Sequence, residues 1–267
     1  MSGPSDNGAA PPSHQLVTEA NRAFYAATAK EYDNLGKGAT VQLAQDNAAS
    51  ILERVPGIKD GQTELLDFAA GTGLLSMLLA PRVKSIYAVD LSEDMVGVLQ
   101  SKLDAQPADA RVDNIHPIAA DLLASTPPQL EGKQVDVVTC TMAFHHFADP
   151  ARVASVLSGF LRSGGYLAIV DLIHQDEPIK LDEPAEHGQA EGHEHGHGHD
   201  HGHGHGHDQQ AGANKDNVIA HKHGFSRQDM LGFFEAAGLK LVEMEKSSQF
   251  NWRGRMFDTF LAVAQKP

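Results

Sequence analysis

From Glu64 onward, short apolar runs alternate with amphipathic stretches, and this alternation limits the folds open to the chain more than any other feature. Short apolar runs bounded by turn residues predict buried strands, and the amphipathic stretches predict helices. The predicted strands are Leu65–Ala69, Ser85–Val89, Ile115–Ala119, Val135–Cys140, Tyr166–Asp171, Leu239–Glu245 and Met256–Ala264. The predicted helices are Leu74–Ala80, Glu93–Leu103, a short one near Leu122–Ala124, Ala151–Leu161 and Arg227–Ala237. Successive βα units predict an α/β domain with a mainly parallel sheet that ends in a hairpin-like pair.

The region before the first strand is predicted to be helical. Residues 1–13 are rich in Gly, Pro, Ser and Ala and are predicted to be a disordered tail. Ser13 is a predicted N-cap for a helix that continues to Asp33, and a second helix is predicted across residues 39–55, where a Pro-Gly pair stops it. Residues 14–267 are therefore predicted to form a single domain.

The charge of the chain excludes two classes of partner. There are 35 acidic and 21 basic side chains, which give a formal net charge of −14. This charge repels phosphate backbones and anionic lipids, so we expect neither a nucleic acid nor a membrane surface as a partner. The single cysteine, Cys140, excludes an internal disulfide framework, and no apolar run reaches the roughly 18 residues of a membrane span. The N-terminal sequence lacks the apolar core of a signal peptide, so a cytoplasmic protein is expected.

An acidic, histidine-rich segment follows the fifth predicted strand. Residues 187–208 hold nine of the 16 histidines and almost no apolar side chain, which predicts a disordered insertion over residues 175–217. A flexible chain of this kind can place several imidazoles around Zn²⁺, Ni²⁺ or Cu²⁺. No defined metal site is predicted. The candidate non-specific ligands for a divalent metal are His193, His195, His197, His199, His201, His203, His205 and His207.

The first predicted strand leads into a turn with the features of a nucleotide-binding site. Asp67 lies on the strand, and the small residues Ala69, Gly71 and Gly73 follow it at the start of a helix. Small residues let a ligand approach the backbone closely, and the helix N-terminus offers free amide donors. Asp90 follows the second predicted strand, where its carboxylate can accept hydrogen bonds from both hydroxyls of a ribose.

Two side chains near this turn discriminate between nucleotides. A dinucleotide fingerprint requires glycine at position 74, where this chain has the bulky Leu74. Asp67 would repel a pyrophosphate, but it can hold the ammonium group or an ordered water of a cationic amino-acid ligand. Both observations disfavour a nucleotide-dependent oxidoreductase and favour S-adenosylmethionine as the ligand.

With these motifs the sequence resembles the class I S-adenosylmethionine-dependent methyltransferases, over roughly residues 24–266. The first motif of that family, apolar-apolar-Asp-x-Gly-x-Gly-x-Gly, is matched by LLDFAAGTG at 65–73, with Ala69 in place of the first glycine. Asp90 matches the acidic ribose-binding position, and Asp121-Leu122 matches the pair that reads the adenine. HHFAD at 145–149 is similar to the His-His-x-x-Asp loop of small-molecule members. LRSGGYL at 161–167 matches the Lys-Pro-Gly-Gly turn, with Arg-Ser replacing Lys-Pro.

The resemblance implies a fold, a cofactor and a set of binding residues. The fold is a Rossmann-like, seven-stranded, mostly parallel sheet with helices on both faces and an antiparallel last strand. Residues 14–56 would be a helical lid, 64–171 the cofactor-binding core, and 225–267 a C-terminal helix and strand pair. The cofactor would be S-adenosyl-L-methionine, bound by Tyr25, Tyr32, Asp67, Ala69, Gly71, Thr72, Gly73, Asp90, Leu91, Met95, Asp121, Leu122 and Thr141.

The resemblance also implies methyl transfer by in-line displacement, in which the enzyme aligns the acceptor with the methyl group and excludes water. A base is needed only if the acceptor must lose a proton, and His145 and His146 are the predicted catalytic residues. No recognition domain is recognisable, which favours a small-molecule methyl acceptor. The acceptor atom and the oligomeric state stay open. The alternative hypothesis is a Zn²⁺- or Ni²⁺-binding protein, or a catalytically silent partner of another enzyme, on a methyltransferase-like fold.

Overall fold

The computed structural model describes residues 13–179, 218–252 and 254–267. Within these ranges, seven strands form one sheet in the order β3-β2-β1-β4-β5-β7-β6. β7 is antiparallel to both of its neighbours and the other adjacent pairs are parallel, so the predicted sheet with an antiparallel last strand is confirmed. The strands are β1 (Glu64–Phe68), β2 (Ser85–Asp90), β3 (Ile115–Ala119), β4 (Val135–Thr141), β5 (Leu161–Leu172), β6 (Lys240–Trp252) and β7 (Arg255–Gln265).

The strand order reverses between β1 and β4, which lie side by side at the centre of the sheet. The chain passes from β1 outward to β2 and β3, and then returns to β4 on the other side of β1. Leu65, Leu66, Val137 and Val138 have no exposed surface on these two strands, because helices cover both faces of the sheet there. The loops after β1 and β4 diverge, so a crevice opens at the carboxyl ends of these strands.

Helices pack on both faces of the sheet, as predicted. α2, α3 and α4 bury Ile51, Leu79 and Leu99 against one face. α5 and α6 bury Leu157 and Phe234 against the other, and none of these five side chains has exposed surface. The helices of the described residues are α1 (His14–Thr28), α2 (Ala39–Arg54), α3 (Leu74–Leu79), α4 (Glu93–Asp104), α5 (Pro150–Phe160) and α6 (Arg227–Ala236).

The region before β1 is helical but less regular than predicted. α1 begins after the predicted N-cap, Ser13, and ends at Thr28, short of the predicted end at Asp33. A 3-10 helical segment follows at Ala29–Gly38 with a kink at residues 35–37, where Gly36 has a φ of 60° that an α-helix cannot contain. This segment, called the lid segment below, contacts both α2 and α4.

Two of the predicted elements in the core have other boundaries. The predicted short helix near Leu122–Ala124 is wrong, because these residues form a turn. The Asp121 carboxylate caps this single turn by accepting hydrogen bonds from the amides of Leu123 and Ala124, and Pro127 and Pro128 follow before a helix can continue. β5 begins at Leu161 and not at Tyr166, since the residues of the predicted Ser-Gly-Gly turn continue the strand through a register shift against β4.

The two C-terminal strands are longer than predicted. β6 continues seven residues beyond the predicted end at Glu245, to Trp252, and β7 starts at Arg255. Their outer ends pair with each other, as in the pairing of Phe250 with Phe257, so this part of the hairpin extends past the rest of the sheet. The extension carries aromatic side chains toward the crevice.

The predicted tail and most of the predicted insertion lie outside the described residues, which exclude 1–12 and 180–217 and therefore all eight alternating histidines. The described ends of the insertion pair with each other. The amide of Gln175 donates to the carbonyl of His223 at 2.9 Å, and that of Ile179 donates to the carbonyl of Lys222 at 2.5 Å. In the described ranges, no helix is long and apolar enough to cross a membrane.

Candidate active site

The turn after β1 requires small residues because its backbone enters the left-handed region three times. Ala69, Gly71 and Gly73 have φ values of 57°, 57° and 78°. A Cβ on Gly73 would lie 2.3 Å from Cδ1 of Leu99 on α4, so no side chain fits there. A Cβ on Gly71 would meet no protein atom within 4 Å, and this residue faces open space at the crevice. The turn therefore leaves room for a ligand against its backbone.

Asp90 connects the end of β2 to this turn. Its Oδ2 accepts a hydrogen bond from the amide of Gly71 at 2.7 Å, and its Oδ1 accepts one from the amide of Ser92 at 2.9 Å. Burial raises the pKa of the Asp90 carboxyl, and these backbone hydrogen bonds oppose that rise. Each carboxylate oxygen keeps a further lone pair, so Asp90 can also accept from the hydroxyls of a ribose.

Asp67 lies beneath the turn, where it links three elements. Its carboxylate accepts hydrogen bonds from Oγ of Ser76 on α3 at 2.6 Å and from Oγ1 of Thr139 on β4 at 2.8 Å. Burial raises the pKa of Asp67 to about 6. The residue lines neither of the cavities described below, and neither does Gly73, so a contact between Asp67 and a cofactor stays a prediction.

Two cavities occupy the crevice at the carboxyl ends of the strands. The first cavity brings together most of the predicted cofactor residues, which come from α1, the lid segment and the loops after β1, β2, β3 and β4. These residues are Tyr25, Tyr32, Ala69, Gly71, Asp90, Leu91, Met95, Asp121, Leu122 and Thr141. The carboxylates of Asp90 and Asp121 can accept hydrogen bonds from a ribose and an adenine amino group. The buried apolar side chains of Met95 and Leu122 can pack against a purine, so the lining of the first cavity fits an adenosine group.

The second cavity lies beside the first, between α1, the lid segment, α2 and the extended end of β6. Its walls include Phe24, Leu43, Phe250, Trp252 and the predicted cofactor residue Thr72. In the described part of the chain, no Asp, Glu, Lys or Arg lines this cavity. The two cavities share one wall, formed by Tyr25, Tyr32, Ala69, Gly71, Thr141, Met142 and His146.

His146 lies in the shared wall with both ring nitrogens engaged. Nδ1 lies 2.6 Å from the carbonyl of Val218, which can only accept, so Nδ1 carries the proton. Nε2 therefore accepts a hydrogen bond from the hydroxyl of Tyr25 at 2.7 Å. Burial, followed by the neighbouring His145, lowers the pKa of His146 to about 3. The imidazole is neutral and has no nitrogen free for an acceptor, which does not favour His146 as the base.

His145 is arranged differently. Its Nδ1 donates to Oδ1 of Asp171 at 2.8 Å, while Nε2 is buried and has no hydrogen-bond partner among the described residues. His145 is among the residues that line the second cavity. Burial alone would raise the pKa of Asp171, but the adjacent His145 and its hydrogen bond outweigh burial and lower it. Sequence reasoning missed Asp171, although its position at the carboxyl end of β5 marked it as a residue at the crevice edge.

The lid segment is fastened to the glycine turn through Asp33. Oδ1 of Asp33 accepts a hydrogen bond from Oγ1 of Thr72 at 2.5 Å, and its Oδ2 forms an ion pair with Nζ of Lys102 on α4. Tyr32, the preceding residue, is on the lid segment and not on the first helix as predicted. Burial and the nearby Asp90 carboxylate raise the pKa of Tyr32 to about 12, so its hydroxyl stays protonated at neutral pH.

The strand order, the glycine turn and the carboxylate at the end of β2 together define the class of S-adenosylmethionine-dependent methyltransferases of class I. A family model for a methyltransferase domain matches residues 41–244 of the chain. The chain therefore belongs to the methyltransferase domain family, and S-adenosylmethionine is the cofactor that members of this class use.

Individual relatives agree with this assignment. An uncharacterized methyltransferase of Schizosaccharomyces pombe is 30% identical over 197 residues, which cover 72% of this chain and 59% of that protein. A ubiquinone biosynthesis O-methyltransferase of Leptothrix cholodnii is 32% identical over 116 residues, which cover 43% of this chain and 46% of that protein. The chain thus spans about half of the length of these relatives.

The fold is shared with solved structures at low sequence identity. Magnesium protoporphyrin IX methyltransferase from Synechocystis PCC 6803, solved with bound SAH, superposes with a TM-score of 0.60 at 15% identity. The match covers 94% of this chain and 100% of that protein. The predicted Rossmann-like methyltransferase fold is therefore confirmed.

Proposed function

We propose that this chain transfers the methyl group of S-adenosylmethionine to a small-molecule acceptor by in-line displacement. The observation that carries the proposal is the wall shared by the two cavities. A donor in the first cavity and an acceptor in the second would meet at this wall, beside Gly71, Thr141 and Met142. An in-line displacement requires this arrangement, because the acceptor atom must approach the methyl carbon from the side opposite the leaving sulfur.

The cofactor-binding roles follow from the residues of the first cavity. Bound S-adenosylmethionine supplies an electrophilic methyl group on a positively charged sulfur. Asp90 would accept hydrogen bonds from the ribose, Asp121 from the adenine amino group, and Met95 would pack against the purine. Tyr25 and Tyr32 would cover the sulfur end from α1 and the lid segment, which excludes water from the reacting atoms.

The second cavity supports an acceptor of small size. It is bounded by the helical N-terminal region on one side and by Phe250 and Trp252 of β6 on another, so a compact molecule fits better than a polymer. The name of the Leptothrix cholodnii relative, a ubiquinone biosynthesis O-methyltransferase, agrees with a small-molecule acceptor.

Cofactor binding provides the first test. The substitution Asp90→Ala removes the ribose acceptor and also leaves the amide of Gly71 without its partner. We expect the dissociation constant for S-adenosylmethionine, measured by isothermal titration calorimetry, to rise at least about tenfold, which corresponds to about 1.4 kcal/mol. The matched control is His116→Ala, since His116 is exposed on β3 and lines neither cavity. An unchanged dissociation constant in a folded Asp90→Ala variant would contradict the proposed cofactor site.

A further inference from the structure

A polar side chain interrupts the apolar face that α2 turns toward the second cavity. Ala39, Leu43 and Asn47 follow one another at four-residue spacing on this face, and all three line the cavity. The next residue of the series, Ile51, has no exposed surface and lies in the core. Asn47 therefore stands at the inner end of the cavity, at a position where the helical periodicity predicts an apolar residue.

The side-chain amide of Asn47 is paired on one side only. The residue is 2% exposed, and its Oδ1 accepts a hydrogen bond from Oγ of Ser248 on β6 at 3.4 Å. Oγ1 of Thr259 on β7 lies 2.7 Å from that Oγ and holds it in place. Among the described residues, Nδ2 of Asn47 donates to no acceptor, and it keeps accessible surface. Because the residue lines the second cavity, this surface faces the cavity.

The surroundings of this amide give its free donor a large effect on what binds. Leu43, Leu75 and Phe250 line the same cavity, and Leu43 and Phe250 are buried. A hydrogen bond is stronger in such apolar surroundings than in water, and a donor left unpaired there costs about 1–3 kcal/mol. A ligand that fills the cavity displaces water from Nδ2, so it must supply an acceptor atom in its place.

The rest of the lining restricts the charge of that ligand. In the described residues, the second cavity has no carboxylate and no Lys or Arg. A carboxylate could accept from Nδ2, but it would lose its hydration without gaining a cation. A hydroxyl would bring a proton of its own, while Oδ1 of Asn47 is already occupied by Ser248. An uncharged oxygen that only accepts, as in a ketone, an ester or an ether, meets both conditions.

Resting on the proposed methyl transfer, we propose that the methyl acceptor is an uncharged molecule with a carbonyl or ether oxygen, and that Nδ2 of Asn47 donates a hydrogen bond to this oxygen. Asn47 does not belong to the wall that the two cavities share, so the oxygen it binds is not the atom that receives the methyl group. Asn47 is then a specificity-determining residue, and Ser248 is a positioning residue that orients its amide.

Three probes of similar size test the recognition. S-adenosylhomocysteine is first added at saturation to fill the cofactor cavity. Acetophenone, isopropylbenzene and benzoate are then titrated by calorimetry, since they carry a carbonyl, no oxygen and a carboxylate on the same ring. The fluorescence of Trp252, the only tryptophan of the chain, reports whether each probe enters the second cavity. We expect acetophenone and isopropylbenzene to bind there and benzoate to bind far more weakly than acetophenone.

The decisive measurement is how a substitution changes the ratio of two dissociation constants. Asn47→Leu replaces the amide by an apolar group of similar size and leaves Ser248 paired with Thr259. The dissociation constant of acetophenone divided by that of isopropylbenzene should rise at least about tenfold in this variant, which corresponds to about 1.4 kcal/mol. Ser248→Ala should raise the same ratio severalfold. The matched control is Gln45→Leu, which removes an exposed amide from the same helix and should leave the ratio unchanged.

The outcomes separate this inference from the proposed function. Failure of the folded chain to bind S-adenosylmethionine overturns the proposed function. Binding of the cofactor together with an unchanged ratio in Asn47→Leu overturns only the role of Asn47, and a purely structural role would weaken both probes alike. Absence of acetophenone from the second cavity, or tighter binding of benzoate, overturns the acceptor class. If Asn47→Leu lowers the melting temperature, Asn47→Ala repeats the ratio measurement.

Discussion

Neighbouring histidines in one short turn, Phe144–His146, have different hydrogen-bond partners because of the atoms around them. His145 is oriented by a buried carboxylate, whereas His146 donates to a carbonyl and accepts from a tyrosine. A carbonyl cannot stabilise an imidazolium as a carboxylate does, and burial keeps His146 neutral. His146 therefore lies in the shared wall with both ring nitrogens bonded, while Nε2 of His145 has no hydrogen-bond partner among the described residues.

The depressed pKa of His146 has a measurable effect on stability. Unfolded His146 takes up a proton near pH 6.5, whereas the folded form does so only near pH 3. Between these values the unfolded state binds more protons, so His146 lowers the stability of the fold as the pH falls. We expect His146→Gln to reduce the proton uptake on unfolding at pH 5 by about one proton. Chemical denaturation between pH 4 and pH 7, with its slope against pH, measures this number.

Asp67 gives the matched comparison, because its linkage has the opposite sign. Its folded pKa of about 6 lies above the ordinary value of 3.8, so the folded state binds the extra proton between these values. Asp67→Asn should therefore change the proton uptake at pH 5 in the direction opposite to His146→Gln. Changes of the same sign in both variants would contradict the two pKa assignments.

At the scale of elements, the lid segment packs mainly on α2, where Oγ1 of Thr40 donates hydrogen bonds to the carbonyls of Tyr32 and Asp33. Gly36, at its kink, packs so closely on Trp252 that a Cβ would lie 2.9 Å from the indole ring. Asp33 contributes the polar fastening to Thr72 and Lys102. Because the segment covers both cavities, its opening would admit the cofactor and the acceptor, and its closure would exclude water.

Removal of the polar fastening should loosen the lid segment without unfolding the domain. We expect Asp33→Ala to speed amide hydrogen exchange in residues 29–38 severalfold and to speed the dissociation of S-adenosylmethionine. Hydrogen exchange with mass spectrometry and stopped-flow dissociation measure the two effects. Asp46→Ala is the control, because Asp46 lies on α2 and bonds only to Gln42 among the described side chains. Unchanged exchange would mean that the packing of the segment on α2 and Trp252, with the hydrogen bonds from Thr40, is sufficient to hold it.

At the scale of the whole molecule, the His-rich insertion starts and ends beside the active site. Before it, Ile179 pairs with Lys222, and after it, Val218 accepts the hydrogen bond from His146. The two ends are thus held by the domain itself. The net charge of −14 is concentrated there, since 11 of the 35 acidic residues lie between Asp171 and Asp216. We therefore expect that any metal binding by the histidines is separable from the proposed methyl transfer.

Deletion of residues 187–208 should separate them in practice. We expect the affinity for S-adenosylmethionine and the melting temperature to stay nearly unchanged, because the paired flanks remain, while binding of Ni²⁺ or Zn²⁺ is lost. Calorimetry with the cofactor and with each metal compares the deletion with the full chain. A different result would support a regulatory metal site and the metal-binding alternative. In that case the deletion would weaken the affinity for the cofactor, and added metal would strengthen this affinity only in the full chain.

The sequence by itself determined the sheet and those residues of the first cavity that directly follow a strand. Apolar runs separated by amphipathic stretches dictate parallel βα units, and each βα loop must then lie at the carboxyl edge of the sheet. Asp90 and Gly71 were predictable for this reason, because both follow directly from a strand end. The local signals were misleading after Asp121, where a capped turn forms but Pro127 and Pro128 follow before a helix can continue.

Only the tertiary structure decided how the chemistry is arranged. The hydrogen bond between His145 and Asp171 joins residues 26 positions apart, that between Tyr25 and His146 joins residues 121 apart, and Asp33 and Thr72 are 39 apart. No periodicity or spacing encodes such pairs, since they depend on which strand ends the fold brings together. The sequence determined which residues lie at the crevice, and the packing of strands and lid segment decided which of their side chains pair with one another.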